Sequence, residues 1–140
     1  MALYPYFPPI NAINIFNDSQ QVVEPNSPVV FNRGLSNNNN SVLLTKPGQY
    51  LVIFNASGTG TVAATTPVLQ LQDQNGVNIA GAKASVQTTA ATEIVGIGFS
   101  TIVNVNPSSP FNNNAVALSV VNTGDSATLQ NASLTVARIR

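Results

Sequence analysis

The sequence predicts an all-β fold, a jelly-roll sandwich of about ten antiparallel strands preceded by an extended N-terminal arm. Three observations carry this expectation. From Ile10 onward, apolar and polar residues alternate with period two. No stretch sustains apolar residues at helical spacing. The runs are separated at short intervals by Gly, Pro and Asn clusters, the punctuation of many short strands.

The elements follow in order. Strands are expected at Ala12 to Asn17 and Gln20 to Glu24, and Glu24-Pro-Asn-Ser-Pro28 then breaks the pattern. Further strands fall at Val29 to Asn32 and Ser41 to Thr45, on either side of Ser36-Asn-Asn-Asn-Asn40. After the Lys46-Pro-Gly48 turn comes Gln49 to Ser57, in which Tyr50, Val52 and Phe54 share one face while Leu51 and Ile53 share the other. A strand apolar on both sides reads as central, with both faces covered.

Val68 to Asp73 and Val77 to Ala80 flank Asn75-Gly76, a two-residue hairpin signal because both residues accept positive φ at low cost. Ala84 to Thr88 follows. The long run from Glu93 to Asn106 places Val95, Ile97, Phe99, Val103 and Val105 in one row, opposite Ile94, Gly96, Gly98, Ser100 and Ile102. Alternate glycines on one side of a strand allow curvature or the close approach of another backbone. After Asn106-Pro-Ser-Ser-Pro110, the strands Ala115 to Asn122 and Ala127 to Ile139 complete the chain, separated at Asn122-Thr-Gly124.

Composition narrows the function. The 140 residues contain five Lys+Arg, five Asp+Glu, no His and no Cys, where soluble domains are about 25% charged. General acid/base work, covalent catalysis and transition-metal binding draw on the missing types, so a non-enzymatic protein without cofactor or metal is expected. With 44% hydrophobic residues the chain can build a core, and its length suits one sandwich domain, residues 11–140, after the arm of residues 1–10.

A formal net charge of zero argues against nucleic acid, since phosphate binding needs clustered basic residues and Arg33, Lys46 and Lys83 stand far apart. A surface of Asn, Gln, Ser and Thr also lacks the long-range repulsion that keeps copies apart. With almost no Lys to guard sheet edges, self-association that hides surface is the economical solution.

The segment from Met1 to Pro9 carries no basic residue and no apolar run of signal-peptide length, and nothing later approaches a membrane span. An extracellular protein of this kind would leave by lysis or by a route other than the general one. The arm concentrates Leu3, Tyr4, Tyr6 and Phe7 among prolines, so it is expected to be extended, with its aromatics docked either on this subunit's own sandwich or on a neighbouring subunit or larger particle, to which it would attach the domain.

Lys46-Pro-Gly-Gln-Tyr-Leu-Val-Ile-Phe-Asn-Ala-Ser-Gly58 resembles the turn and central strand of the tumour necrosis factor and complement-head jelly rolls. Ile15-Phe-Asn17, Val22-Val-Glu-Pro-Asn-Ser-Pro-Val-Val-Phe-Asn32, Ala117-Leu-Ser-Val-Val-Asn122 and Ala132-Ser-Leu-Thr-Val-Ala-Arg-Ile139 are similar to the opening and closing strands of one branch. That branch is the C-terminal domains of collagen-like spore-surface glycoproteins of the BclA type. Asn113-Asn114 stands where the family often has Gly-Asp, and the collagen stalk is missing.

The resemblance implies a homotrimer of jelly rolls packed by apolar side chains about a three-fold axis. The expected interface is Tyr50, Val52 and Phe54, or the row of Val95, Ile97 and Phe99, because oligomer interfaces are more apolar than the remaining surface. Two functions follow. One is a structural subunit that builds or decorates a surface assembly such as a virion, a spore surface or an appendage. The alternative is a receptor- or glycan-binding tip that uses the loop residues Asn38, Asn39, Phe111 and Asn112.

Other motifs carry little. Asp73-Gln-Asn-Gly76 lacks the alternating acids of a calcium loop, and Asp18, Glu24 and Asp125 are dispersed. Asn-x-Ser occurs at Asn17, Asn39, Asn55 and Asn131, as expected by chance in an Asn- and Ser-rich chain. Gly58-Thr-Gly60 and Gly96-Ile-Gly98 lack the strand-to-helix context of a phosphate loop.

Overall fold

The structure, a computed structural model, describes residues 12–34, 40–60, 65–90, 92–107 and 114–140. These residues form eleven strands and no helix: β1 (Ala12–Asn17), β2 (Gln21–Val23), β3 (Ser27–Pro28), β4 (Arg33–Gly34), β5 (Val42–Leu44), β6 (Gly48–Gly60), β7 (Val68–Gln72), β8 (Asn78–Ser85), β9 (Val95–Val105), β10 (Val116–Asn122) and β11 (Ala127–Arg138). The expected boundary between arm and sandwich lies outside the described residues.

Two antiparallel sheets stack face to face as a jelly roll. The first runs β4-β1-β11-β6-β9 with β2 added to β11, and the second runs β3-β10-β7-β8 with β5 added to β10. Non-consecutive neighbours dominate. The first and last described strands pair with each other, Ala12 opposite Ala137 and Asn17 opposite Ala132. The core lies between the sheets and is built from one side of each strand, including Ile15, Val52, Phe54, Leu134 and Val136 against Leu69, Leu71, Leu118 and Val120.

Four local departures from the sequence pattern have physical causes. Val29 to Asn32 is a crossing rather than a strand, carrying the chain from β3 in one sheet to β4 in the other. Val29 and Phe31 are buried there. Amide side chains fasten the crossing: Asn17 Nδ2 and Gln21 Nε2 both donate to the Val30 carbonyl, at 3.0 and 2.9 Å, and the Val30 N–H donates back to Gln21 Oε1.

The runs expected at Val77 to Ala80 and Ala84 to Thr88 are joined in one strand, β8, which ends at Ser85 and so leaves out Val86 to Thr88, and whose pairing with β7 slips between Gln70 and Gln72. Gly81 sits in it at φ 76°, and the buried Gln70 amide donates to the carbonyls of Leu71, Ile79 and Ala82 across the irregularity. The β7–β8 hairpin is closed by the Asp73 N–H on the Val77 carbonyl at 3.0 Å, which leaves three loop residues instead of the expected two. Asp73 Oδ1 accepts from the N–H groups of Asn75 and Val77, and Gly76 takes φ 75°.

β11 is also interrupted, by a register shift between Leu129 and Asn131. Ala127 and Leu129 are buried before it and Ala132, Leu134 and Val136 after it. The inserted residue restores the phase, so both apolar sets face the core. Opposite the shift stands Gly58, where an added Cβ would lie 2.3 Å from the Thr128 carbonyl oxygen.

Candidate self-association face

The residues expected to line a three-fold axis are placed differently. Tyr50, Val52, Phe54 and Ile97 are buried inside the single chain. Val95 and Phe99 are half-buried on the same side, with Phe99 stacked on Phe54 at a centroid distance of 5.3 Å. The correction has a simple cause. Alternation separates two apolar rows without saying which turns inward, and the bulky aromatic row is the one that fills the space between the sheets.

The other row therefore faces outward. Pairing aligns Ala12, Ala137, Leu51 and Ile102 across four strands. The next line is Asn14, Thr135, Ile53 and Ser100, and the one after it Phe16, Ser133, Asn55 and Gly98. None of these twelve residues is charged. Arg33, opposite Phe16 on β4, and Asp18, just past β1, border the face.

Leu51, Ile53 and Phe16 are half-buried by their neighbours alone, while Ile102 remains 52% exposed. Ile94 and Ile139 extend the apolar surface at opposite ends of the sheet. Among the described residues, the expected cover over Leu51 and Ile53 is not found. No described residue packs above them, and Gly96 and Gly98 add no side chain to the face on β9. An added Cβ at Gly98 would come within 2.6 Å of the Phe54 carbonyl oxygen and 2.8 Å of Asn55 Oδ1.

Polar groups sit on the β1 side. Asn14 Nδ2 donates to Ser133 Oγ at 3.1 Å and to Thr135 Oγ1 at 2.7 Å. A depression of about 330 Å³ opens beside them, lined by Asn14, Phe16, Asp18, Asn131, Ala132 and Ser133. One surface therefore combines exposed aliphatic side chains toward β9 with a polar hollow toward β1, the carboxylate of Asp18 standing at its border.

The carboxylates serve the loops. Asp125 Oδ2 accepts from the Thr66 N–H at 2.8 Å, Glu24 from Ser126 Oγ at 2.8 Å, and Glu93 from Thr89 Oγ1 at 2.6 Å. Among the described residues, no three of His, Cys, Asp and Glu gather in a metal-holding group. No described helix is long and apolar enough to cross a membrane.

The arm residues Leu3, Tyr4, Tyr6 and Phe7 and the loop residues Asn38, Asn39, Phe111 and Asn112 lie outside the described residues. A groove of about 350 Å³ on the second sheet, bordered by Asn40, Ser41, Gln72, Asp73 and Ser119, lies beside the position where the first of those loops rejoins the sheet.

No protein-family model matches the chain, and no curated protein sequence is detectably similar to it. Solved structures share its architecture. Eiger TNF from S. frugiperda superposes with a TM-score of 0.65 at 13% identity, covering 95% of this chain and 94% of that one. Murine APRIL gives 0.58 at 9% identity, covering 92% of this chain and 100% of the other. The PRD1 vertex protein P5 gives 0.54 at 14% identity, covering 92% of this chain and 73% of that protein. At these identities the likeness is one of fold: this is a TNF-like jelly roll.

Proposed function

We propose that the chain is a non-enzymatic structural module that forms a homotrimer and builds or decorates a surface assembly, to which the arm of residues 1–10 attaches it. The observation that carries this reading is the face of the first sheet, whose twelve aligned residues are uncharged and whose Leu51, Ile53 and Ile102 have no cover among the described residues. Aliphatic surface of this kind gains about 25 cal/mol for each Å² withdrawn from water, and no like charge opposes the approach of a second copy. A fold shared with a vertex protein and with TNF proteins supports a role in assembly or in surface recognition.

The assembly is read as extracellular, on a virion or on a spore surface of the kind suggested by the resemblance to collagen-like spore glycoproteins. It requires no cofactor, nucleic acid or membrane. Native mass measurement on the full chain and on a chain lacking residues 1–10 tests the reading. Trimers are expected from both, with larger species confined to the full chain. Monomers from both would overturn it.

A further inference from the structure

We propose that Asn14 sets the register and copy number of the assembly, by requiring a hydrogen-bond partner from a second copy of this chain. The inference rests on the self-association proposed above and adds what makes it specific. Aliphatic contacts among Leu51, Ile53 and Ile102 are non-directional, so a flat face bearing only such groups would accept several offsets and several stoichiometries.

Asn14 removes that freedom. Its two amide hydrogens are taken by Ser133 Oγ and Thr135 Oγ1, which leaves Oδ1 as an acceptor on an exposed strand position. The two hydroxyls accept from Asn14 and keep their own hydrogens free to donate outward. The cluster thus presents one acceptor and two donors on the β1 side of a face that a neighbour is to cover.

Groups buried there without partners are penalised, and an identical chain offers matching ones in its own Asn14, Ser133 and Thr135. Registers that bring these groups together survive, while those that set Asn14 against Leu51 or Ile102 are rejected. A single polar residue within an apolar contact has the same effect in paired helices, where it fixes register at a cost in affinity. The occupant is a second copy because the face bears no charge for an ionic partner and its polar groups are complementary to themselves.

Asn14→Val and Thr135→Val test this. Both place a β-branched residue at an outward strand position, and circular dichroism confirms that each variant keeps the strand signal. Wild type is expected to give the trimer and whole multiples of it by sedimentation. Asn14→Val is expected to associate as tightly as wild type, or up to tenfold more tightly, while spreading over masses that are not multiples of a trimer; Thr135→Val, which frees the Asn14 amide, should spread likewise. An unchanged set of masses for both variants, or monomers for Asn14→Val, overturns the proposal. A monomeric wild type would instead overturn the self-association on which it rests.

Discussion

Ile102→Lys is expected to leave a folded chain that no longer associates. Ile102 is 52% exposed in the protomer, so a lysine there can extend its ammonium into water and leave the monomer stable. The same position lies in line with Leu51, Ala137 and Ala12, and in the proposed assembly a neighbouring chain covers it. An unpaired ammonium held there costs several kcal/mol, so the dissociation constant should rise by at least about 100-fold, equivalent to about 3 kcal/mol. Sedimentation velocity across a concentration series measures it. Val77→Lys on the β7–β8 hairpin, where the valine is 57% exposed, is the control and should not change the mass.

Asn122→Leu is expected to be the most damaging single change to the fold itself. Asn122 is fully buried at the end of β10, and its side chain has four partners. Nδ2 donates to the carbonyls of Val23 at 3.0 Å and Asp125 at 2.7 Å, while Oδ1 accepts from the N–H groups of Val68 at 3.2 Å and Gly124 at 3.0 Å. The amide therefore ties β2 and β7 to the turn that leads into β11.

Leucine fills a similar volume and satisfies none of the four groups. Leaving buried backbone groups unpartnered costs about 1–3 kcal/mol each, softened where water can enter, so a loss of about 4 kcal/mol is expected. For a domain of this size that lowers Tm by about 10 °C or more. Calorimetry at fixed chain concentration, needed because association also adds stability, checks the value. Asn104→Leu, at an exposed position of β9, should shift Tm by no more than about 2 °C.

The sequence made the strands legible because period-two alternation is imposed locally. Tyr50 to Phe54 and Val95 to Val105 lie in strands as expected, and their rows separate as read. The orientation of the rows was not legible. Which of them turns inward depends on how the second sheet stacks on the first, a non-local arrangement that neither run records by itself. The same non-locality hid the polar cluster, since Asn14 and Thr135 meet across 121 positions of chain.

Some of the missed detail did leave a trace. The apolar phase of β11 jumps from Ala127 and Leu129 to Ala132, Leu134 and Val136, which is the signature of one inserted residue. Gly81, between two expected strands, marks an irregularity within a single strand rather than a break. Val29 to Asn32 misleads because a buried crossing needs apolar residues as much as a strand does, and Pro28 before it occupies an edge position that requires no donor from it.

The central claim is that a second copy covers the Leu51, Ile53 and Ile102 face, and a chain without cysteine allows it to be tested by thiol labelling. Ser100→Cys places a thiol on that face, and Ser85→Cys places one on β8 of the other sheet; both serines are exposed in a single chain. At concentrations where the protein is assembled, the thiol at position 100 should react at least about tenfold more slowly than the one at position 85, and the difference should vanish on dilution. Equal rates at both positions in the assembled protein would contradict the claim.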